Sequence, residues 1–265
     1  MTATDQRVGT LEKRLRDRRD GGSSLLVPYL TAGVSADWLD HARAFADAGA
    51  DAIEIGLPFS DPMLDGTAVQ QASQRALDRG TTPRAAIAQA AGLSLDVPLV
   101  AMTYSNVVMR HGRSEFCDRL RTAGFAGLIV VDTPHDEAEP LAMAAREHDI
   151  ELVLMLAPST PDRRVAQIAC LSNGFVYAAT VMGTTGERAG VPEAAAQLAT
   201  RVRRHTTLPV VLGFGISTPA DAAAAAAVAD GVAVGSALMR RVLAGAGPAA
   251  TGAAVRELRE ALDAG

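Results

Sequence analysis

Residues 51–66 read DAIEIGLPFSDPMLDG, a short apolar run that passes into a loop containing two acids. The apolar part, 52–55, predicts a buried strand with Glu54 inside it, and a glycine and a proline then end the strand. A buried carboxylate is costly unless it is paired or has a functional role. The loop adds Asp61 and Asp65. A buried acid beside a loop acid suits acid–base chemistry, whereas Glu54 alone is equally consistent with a satisfied core carboxylate.

The chain has 265 residues, of which 48% are hydrophobic, and we interpret 1–265 as a single domain because no linker interrupts it. A formal net charge of -5 with scattered basic residues argues against a nucleic-acid partner. Cys117 and Cys170 lack metal-site spacing, which favours free thiols in a cytoplasmic protein. The N-terminus has no signal-peptide core and no apolar run is long enough to span a membrane, so we expect no membrane association.

Apolar segments alternate with helix-like segments along the whole chain. Eight strands are predicted, at 25–30, 52–55, 98–103, 128–131, 152–156, 175–179, 210–212 and 232–234. An extra amphipathic helix at 9–19, with Thr10 as its candidate N-cap, precedes them. Continuous apolar strands between helices indicate a parallel sheet covered on both faces, and eight such units match a (β/α)₈ TIM barrel. The alternative, a doubly wound open sheet, normally has a Gly-rich turn after its first strand, and 31–33 is not one.

Polar residues and glycines directly follow the predicted strands, where a barrel carries its active site. The glycine-containing stretches 213–217 and 235–237 follow the last two strands. Glycines let a backbone approach an anion, and a short helix starting near Ser236 would direct free N–H groups at it. We therefore favour a phosphate site over glycines that only allow tight strand exits. The Gly- and Thr-rich loop at 182–190 is compatible with a closing lid and with a passive connection.

The run from Glu54 to Gly66 resembles the signature E-x-G-x-P-F-S-D-P-x-x-D-G of the tryptophan synthase α subunit family. Further stretches that resemble this family are 27–33, 104–106, 183–186, 213–217 and 235–237, so the resemblance covers nearly the whole chain. The family fold is a (β/α)₈ barrel, which agrees with the count of strands.

The resemblance implies a carbon–carbon lyase that cleaves indole-3-glycerol phosphate to indole and glyceraldehyde 3-phosphate, the penultimate step of tryptophan biosynthesis. It implies Glu54 as the acid–base residue and Asp65 as the carboxylate at the indole nitrogen. The implied substrate contacts are Tyr29, Met102, Tyr104, Tyr177 and Thr185, and the implied phosphate contacts are Gly186, Gly215, Gly235 and Ser236. No metal and no organic cofactor is implied in this chain.

The resemblance also implies a partner, the pyridoxal-phosphate-bearing β subunit, in an α₂β₂ assembly. Asp61, Asn106 and Asp132 fall near the contact that the family makes with it. Thr67 and Val107 stand where the family often has proline, close to the same contact. Three alternatives remain: a stand-alone homologue that releases free indole, a non-catalytic regulatory subunit, and another phosphate-binding barrel enzyme such as a sugar-phosphate isomerase.

Overall fold

The computed structural model describes residues 8–179, 193–213 and 215–265, so the loop at 182–190, a candidate lid, lies outside the described residues. The described strands form one parallel sheet in the order β5-β4-β3-β2-β1-β9-β8-β7-β6. They are β1 (Leu25–Thr31), β2 (Ile53–Gly56), β3 (Leu99–Thr103), β4 (Phe125–Val130), β5 (Glu151–Val153), β6 (Met155–Leu156), β7 (Val176–Ala179), β8 (Val210–Gly213) and β9 (Gly231–Val234).

The two ends of this strand order, β5 and β6, are consecutive in the chain and are separated only by Leu154. β5 pairs with β4, and β6 pairs with β7. The strand predicted at 152–156 is therefore split in two, because its first part pairs with one neighbour and its last part with the other. The sheet thereby closes on itself. The predicted TIM barrel is confirmed, and the open doubly wound sheet is excluded.

The described helices lie between the strands and around the barrel. They are α1 (Thr10–Asp20), α2 (Trp38–Asp47), α3 (Thr67–Asp78), α4 (Pro83–Ala90), α5 (Ser105–Met109), α6 (Arg113–Thr122), α7 (His135–Glu147), α8 (Asp162–Leu171), α9 (Glu193–Arg203), α10 (Pro219–Ala226), α11 (Ser236–Leu243) and α12 (Pro248–Asp263). Helix α5 was not predicted, because five residues are too few to show a helical period. No helix in the described part of the chain is long and apolar enough to cross a membrane.

Strands β1–β5 and β7–β9 are buried at every residue, as expected for a parallel sheet with helices outside and a packed interior. Apolar contacts from all sides of the barrel join into one core. Cys117 is buried in it and Cys170 is exposed, and both are free thiols as predicted. The unbroken burial makes Glu54, in the middle of β2, a deeply buried acid.

Helix α1 covers the end of the barrel at which the strands begin. The expected cap is wrong: Thr10 is the first helical residue, and Gly9 occupies the N-cap position without a side chain. The carboxylate of Glu151, at the start of β5, accepts instead from the N–H groups of Leu11 and Glu12, at 2.8 Å each. A side-chain carboxylate thus replaces the local cap from a position distant in the sequence. The opposite end of the barrel, where the strands finish, stays free to form a site.

Candidate active site

Glu54 lies at the centre of the parallel pairing that joins β1, β2 and β3. Its Cα is the register partner of Tyr29 on one side and of Val100 on the other. The side chain is 1% exposed, and its Oε1 atom has no hydrogen-bond partner among the described residues. Burial raises the pKa of Glu54 to about 8. One carboxyl oxygen of Glu54 thus lacks a partner in the described part of the chain, and the raised pKa favours the protonated acid at neutral pH.

Asp65 approaches the same space from the loop between β2 and α3. It precedes Gly66, which is the N-cap of α3. Its backbone is tied down because Asp65 N donates to the carbonyl of Pro62 at 3.1 Å and Gln70 Nε2 donates to the Asp65 carbonyl at 2.9 Å. Burial raises the pKa of Asp65 to about 6, opposed by a hydrogen bond from Tyr104. Asp65 is therefore mostly ionised at neutral pH, unlike Glu54.

A pocket at the carboxyl ends of the strands contains both acids. It encloses about 490 Å³ of empty space, part of it open to solvent. Every predicted site residue that the structure describes, except Tyr104, lines this pocket. Three further lining residues were not predicted. The complete lining is Tyr29, Glu54, Asp65, Val69, Met102, Tyr177, Gly215, Ile216, Ala233, Gly235 and Ser236. Tyr104 lines an adjoining pocket of about 290 Å³ that shares Tyr29, Asp65 and Met102 with the first. Thr185 and Gly186 lie outside the described residues.

One side of the pocket is formed by backbone and small residues from the ends of β8 and β9. Gly215 adopts a φ of 96°, in the left-handed region that favours glycine. Gly235 is the N-cap of α11, and the first hydrogen bond of that helix runs from Met239 N to its carbonyl. The N–H groups of the first turn, beginning at Ser236, thus have no partner within the helix. No lysine or arginine lines the pocket among the described residues. An anion bound here would be held by backbone donors.

The family model "Tryptophan synthase alpha chain" matches residues 15–263 of this chain. The chain belongs to the tryptophan synthase alpha chain family. The alpha chain of Chloroflexus aurantiacus is 42% identical over 229 residues, which are 84% of this chain and 86% of that one. The alpha chain of a Picosynechococcus species is 38% identical over 258 residues, 96% of this chain and 97% of that one.

The fold of this alpha-chain family member also matches solved structures of tryptophan synthase. A chain in the structure of Mycobacterium tuberculosis tryptophan synthase in space group F222 superposes with a TM-score of 0.90 at 35% identity. The match covers 97% of this chain and 99% of that chain. Membership of the tryptophan synthase alpha chain family excludes the alternative of a sugar-phosphate isomerase.

Two pocket tyrosines lean across to neighbouring strands over glycines. A Cβ atom at Gly56 would lie 1.9 Å from the hydroxyl oxygen of Tyr29, and one at Gly213 would lie 2.1 Å from that of Tyr177. The Tyr29 hydroxyl also shares a hydrogen bond of 3.1 Å with Thr31 Oγ1. Burial, more than the nearby carboxylates, raises the pKa of both phenols, so they remain protonated donors. The absence of a side chain at these two glycines leaves the space that the tyrosine rings occupy in this alpha-chain pocket.

The pocket residues that were not predicted, Val69, Ile216 and Ala233, are apolar. Val69 lies in the first turn of α3, and Ala233 is an interior residue of β9. Ile216 belongs to the glycine-containing stretch that the sequence singled out, but only the glycines suggested a function. An apolar residue next to a polar motif gives no signal of its own in a sequence that is 48% hydrophobic.

The residues expected near a partner of this alpha chain lie on exposed segments around the pocket. Asp61, Asn106 and Asp132 are all exposed. The carboxylate of Asp132 accepts from Ser105 N at 2.7 Å and from Ser105 Oγ at 2.8 Å, which ties the start of α5 to the end of β4. Three large apolar side chains are also exposed on the pocket loop and on α5; they are Met63, Leu64 and Met109. This end of the barrel therefore combines acids with exposed apolar surface.

Proposed function

We propose that Glu54 and Asp65 carry out the reaction of this lyase family, the retro-aldol cleavage of indole-3-glycerol phosphate to indole and glyceraldehyde 3-phosphate. The observation that carries the proposal is that a buried strand acid, Glu54, and a loop acid, Asp65, line one pocket. Burial raises the pKa of Glu54 to about 8, and that of Asp65 only to about 6. At neutral pH one acid can therefore give a proton while the other stabilises positive charge.

The protonated carboxyl of Glu54 delivers its proton to C3 of the indole, which makes the ring an electron sink. The carboxylate of Asp65 stabilises the positive charge that develops at the indole N–H. The Glu54 carboxylate then accepts the proton of the glycerol hydroxyl as the C–C bond breaks. The bond electrons return to the ring, the hydroxyl carbon becomes the aldehyde, and Glu54 is protonated again. The cycle balances without a cofactor, and we place pyridoxal phosphate only on a partner β subunit.

The substrate phosphate is assigned to the backbone of Gly215, Gly235 and Ser236. The support is the first turn of α11, whose N–H groups have no partner within the helix, and the left-handed conformation of Gly215. Tyr29, Met102 and Tyr177 surround the remaining space and are assigned to the indole and glycerol parts. The assignments of Thr185 and Gly186 rest on the family resemblance alone.

The partner is assigned as a tryptophan synthase β subunit in an α₂β₂ assembly. Met63 and Leu64 lie on the loop that carries Asp65, and Met109 ends α5, which follows β3. All three are exposed apolar side chains, which supports a docking role for this surface. We further propose that residues 1–265 are one domain, since the first and last strands, β1 and β9, pair with each other. A cytoplasmic location is consistent with two free thiols.

The experiment that tests this function supplies indole-3-glycerol phosphate to the purified chain and measures indole, with and without a β subunit. We expect indole from the chain alone, and faster release when the β subunit is added. An equal rate with and without the β subunit favours the stand-alone homologue. No indole under either condition contradicts the proposal and favours a regulatory subunit.

A further inference from the structure

We propose that Tyr104 is a positioning residue, which holds the carboxylate of Asp65 and the loop that carries it in the reactive geometry. The inference rests on the proposed role of Asp65, and it gives Tyr104 a function beyond the substrate contact implied by resemblance. Tyr104 directly follows β3, is 5% exposed, and is reached by the loop at two separated points.

The hydroxyl of Tyr104 contacts the far end of the loop. It accepts from the N–H of Leu64 at 3.1 Å, and its interaction with the adjacent Asp65 carboxylate lowers the pKa of that acid. A phenol has one proton and two lone pairs, so it can accept from the amide and donate to the carboxylate at the same time.

The ring of Tyr104 contacts the near end of the same loop. It stacks on Phe59, with ring centroids 4.9 Å apart and an interplanar angle of 26°. Phe59 is itself fixed to α3, because Ser73 Oγ accepts from Phe59 N at 2.9 Å and donates to its carbonyl at 3.0 Å. One side chain on a buried strand end thus sets the position of both ends of the segment 59–65.

The residues between these two points have few apolar anchors of their own. Met63 is 77% exposed and Leu64 is 46% exposed. Gln70 holds the carbonyls of Pro62 and Asp65, at 3.3 Å and 2.9 Å, but these contacts fix the backbone rather than the direction of the carboxylate. The Tyr104 hydroxyl, which is bound to the Leu64 amide next to Asp65, is therefore the group that we assign to directing the carboxylate.

The charges around Asp65 support the same role. Glu54 lines the same pocket. The facing groups that interact with the Asp65 charge are Tyr104, Tyr29 and Tyr177, all of them phenols whose pKa is raised by burial. Burial raises the pKa of Asp65, and the hydrogen bond from Tyr104 opposes that rise. Removal of the Tyr104 hydroxyl should therefore move the pKa of Asp65 upward.

Tyr104→Phe tests the inference because it keeps the ring and its stacking on Phe59 and removes only the hydroxyl. We expect kcat for indole-3-glycerol phosphate to fall about tenfold, with KM changed by less than about twofold, as for one lost hydrogen bond to a charged group. The acid limb of the kcat/KM profile should move to higher pH. Hydrogen exchange of the Leu64 amide should become faster, a readout that needs no substrate.

Ser172→Ala is the matched control, since it removes another buried hydroxyl, which donates to the Ile168 carbonyl at 2.9 Å at the end of α8. It should leave the Leu64 exchange rate and the acid limb unchanged. The positioning role would be overturned if the acid limb of the kcat/KM profile did not move in Tyr104→Phe, or if KM rose while kcat stayed constant. Indole formation by the wild type would still support the proposed function in that case. If the wild type forms no indole, hydrogen exchange of the Leu64 amide in Tyr104→Phe still decides the positioning role. An unchanged exchange rate would overturn that role, and faster exchange would support it.

Discussion

Tyr29 on β1 and Glu54 on β2 are register partners in a parallel pair, and both side chains line the same pocket. The barrel therefore places an aromatic wall directly beside a buried acid without the help of any loop. The tyrosine leans over Gly56, at which a Cβ atom would lie 1.9 Å from its hydroxyl oxygen. An equivalent contact joins Gly213 on β8 to Tyr177 on β7, which lines the same pocket.

Gly213→Ala should impair catalysis, because its methyl group would lie 2.1 Å from the Tyr177 hydroxyl oxygen and would push the ring into the pocket. We expect kcat/KM to fall at least about tenfold, on the scale of a misplaced active-site group. Gly247→Ala is the control, since nothing lies within 4 Å of its Cβ position. Equal kcat/KM in both variants would show that the placement of Tyr177 does not matter.

The pH dependence of kcat/KM should be bell-shaped. Asp65 must be ionised, and its pKa of about 6 means that activity is lost as the pH falls through that value. Glu54 must be protonated, and its pKa of about 8 means that activity is lost as the pH rises through that value. Rates from about pH 5 to about pH 9 should thus peak near pH 7. Activity that rises steadily to high pH would contradict protonated Glu54 as the proton donor.

Glu151→Ala should lower stability without changing chemistry. It leaves the N–H groups of Leu11 and Glu12 without the carboxylate that caps α1, at the end of the barrel opposite the pocket. The free energy of unfolding should fall by about 1–3 kcal/mol, while kcat at a temperature where the variant is folded stays unchanged. Denaturant unfolding and indole formation measured together check this. A selective loss of kcat would mean that the two ends of the barrel are coupled.

The fold was predictable from sequence because the strands of a parallel barrel are buried on both faces, which gives short uninterrupted apolar runs between helices. Glu54 stood out for the same reason, as a charge within such a run. The split of the predicted strand at Leu154 was not predictable, because it depends on which neighbour each half pairs with. The capping of α1 by Glu151 was missed because the partner is 140 residues away.

The lining of the candidate site was predictable where the sequence has a residue type that is rare in its setting, such as an acid in a strand or glycines at strand exits. The contacts that position those groups were not. Tyr29 leans over Gly56 because of the strand register. Tyr104 contacts the segment 59–65 at two points because of the way that segment packs between β3 and α3. A motif shows that Asp65 is present, but only the structure shows what holds it.

The most direct test of the central claim is indole formation from indole-3-glycerol phosphate by Glu54→Gln, measured with and without a β subunit. The substitution keeps the size of the side chain and removes its acidity, so ligand binding should persist while turnover is abolished. Asp65→Asn should also lose most of its activity, because the charge opposite the indole N–H is gone. Near-wild-type indole formation by Glu54→Gln would contradict the assignment of Glu54 as the group that moves the protons.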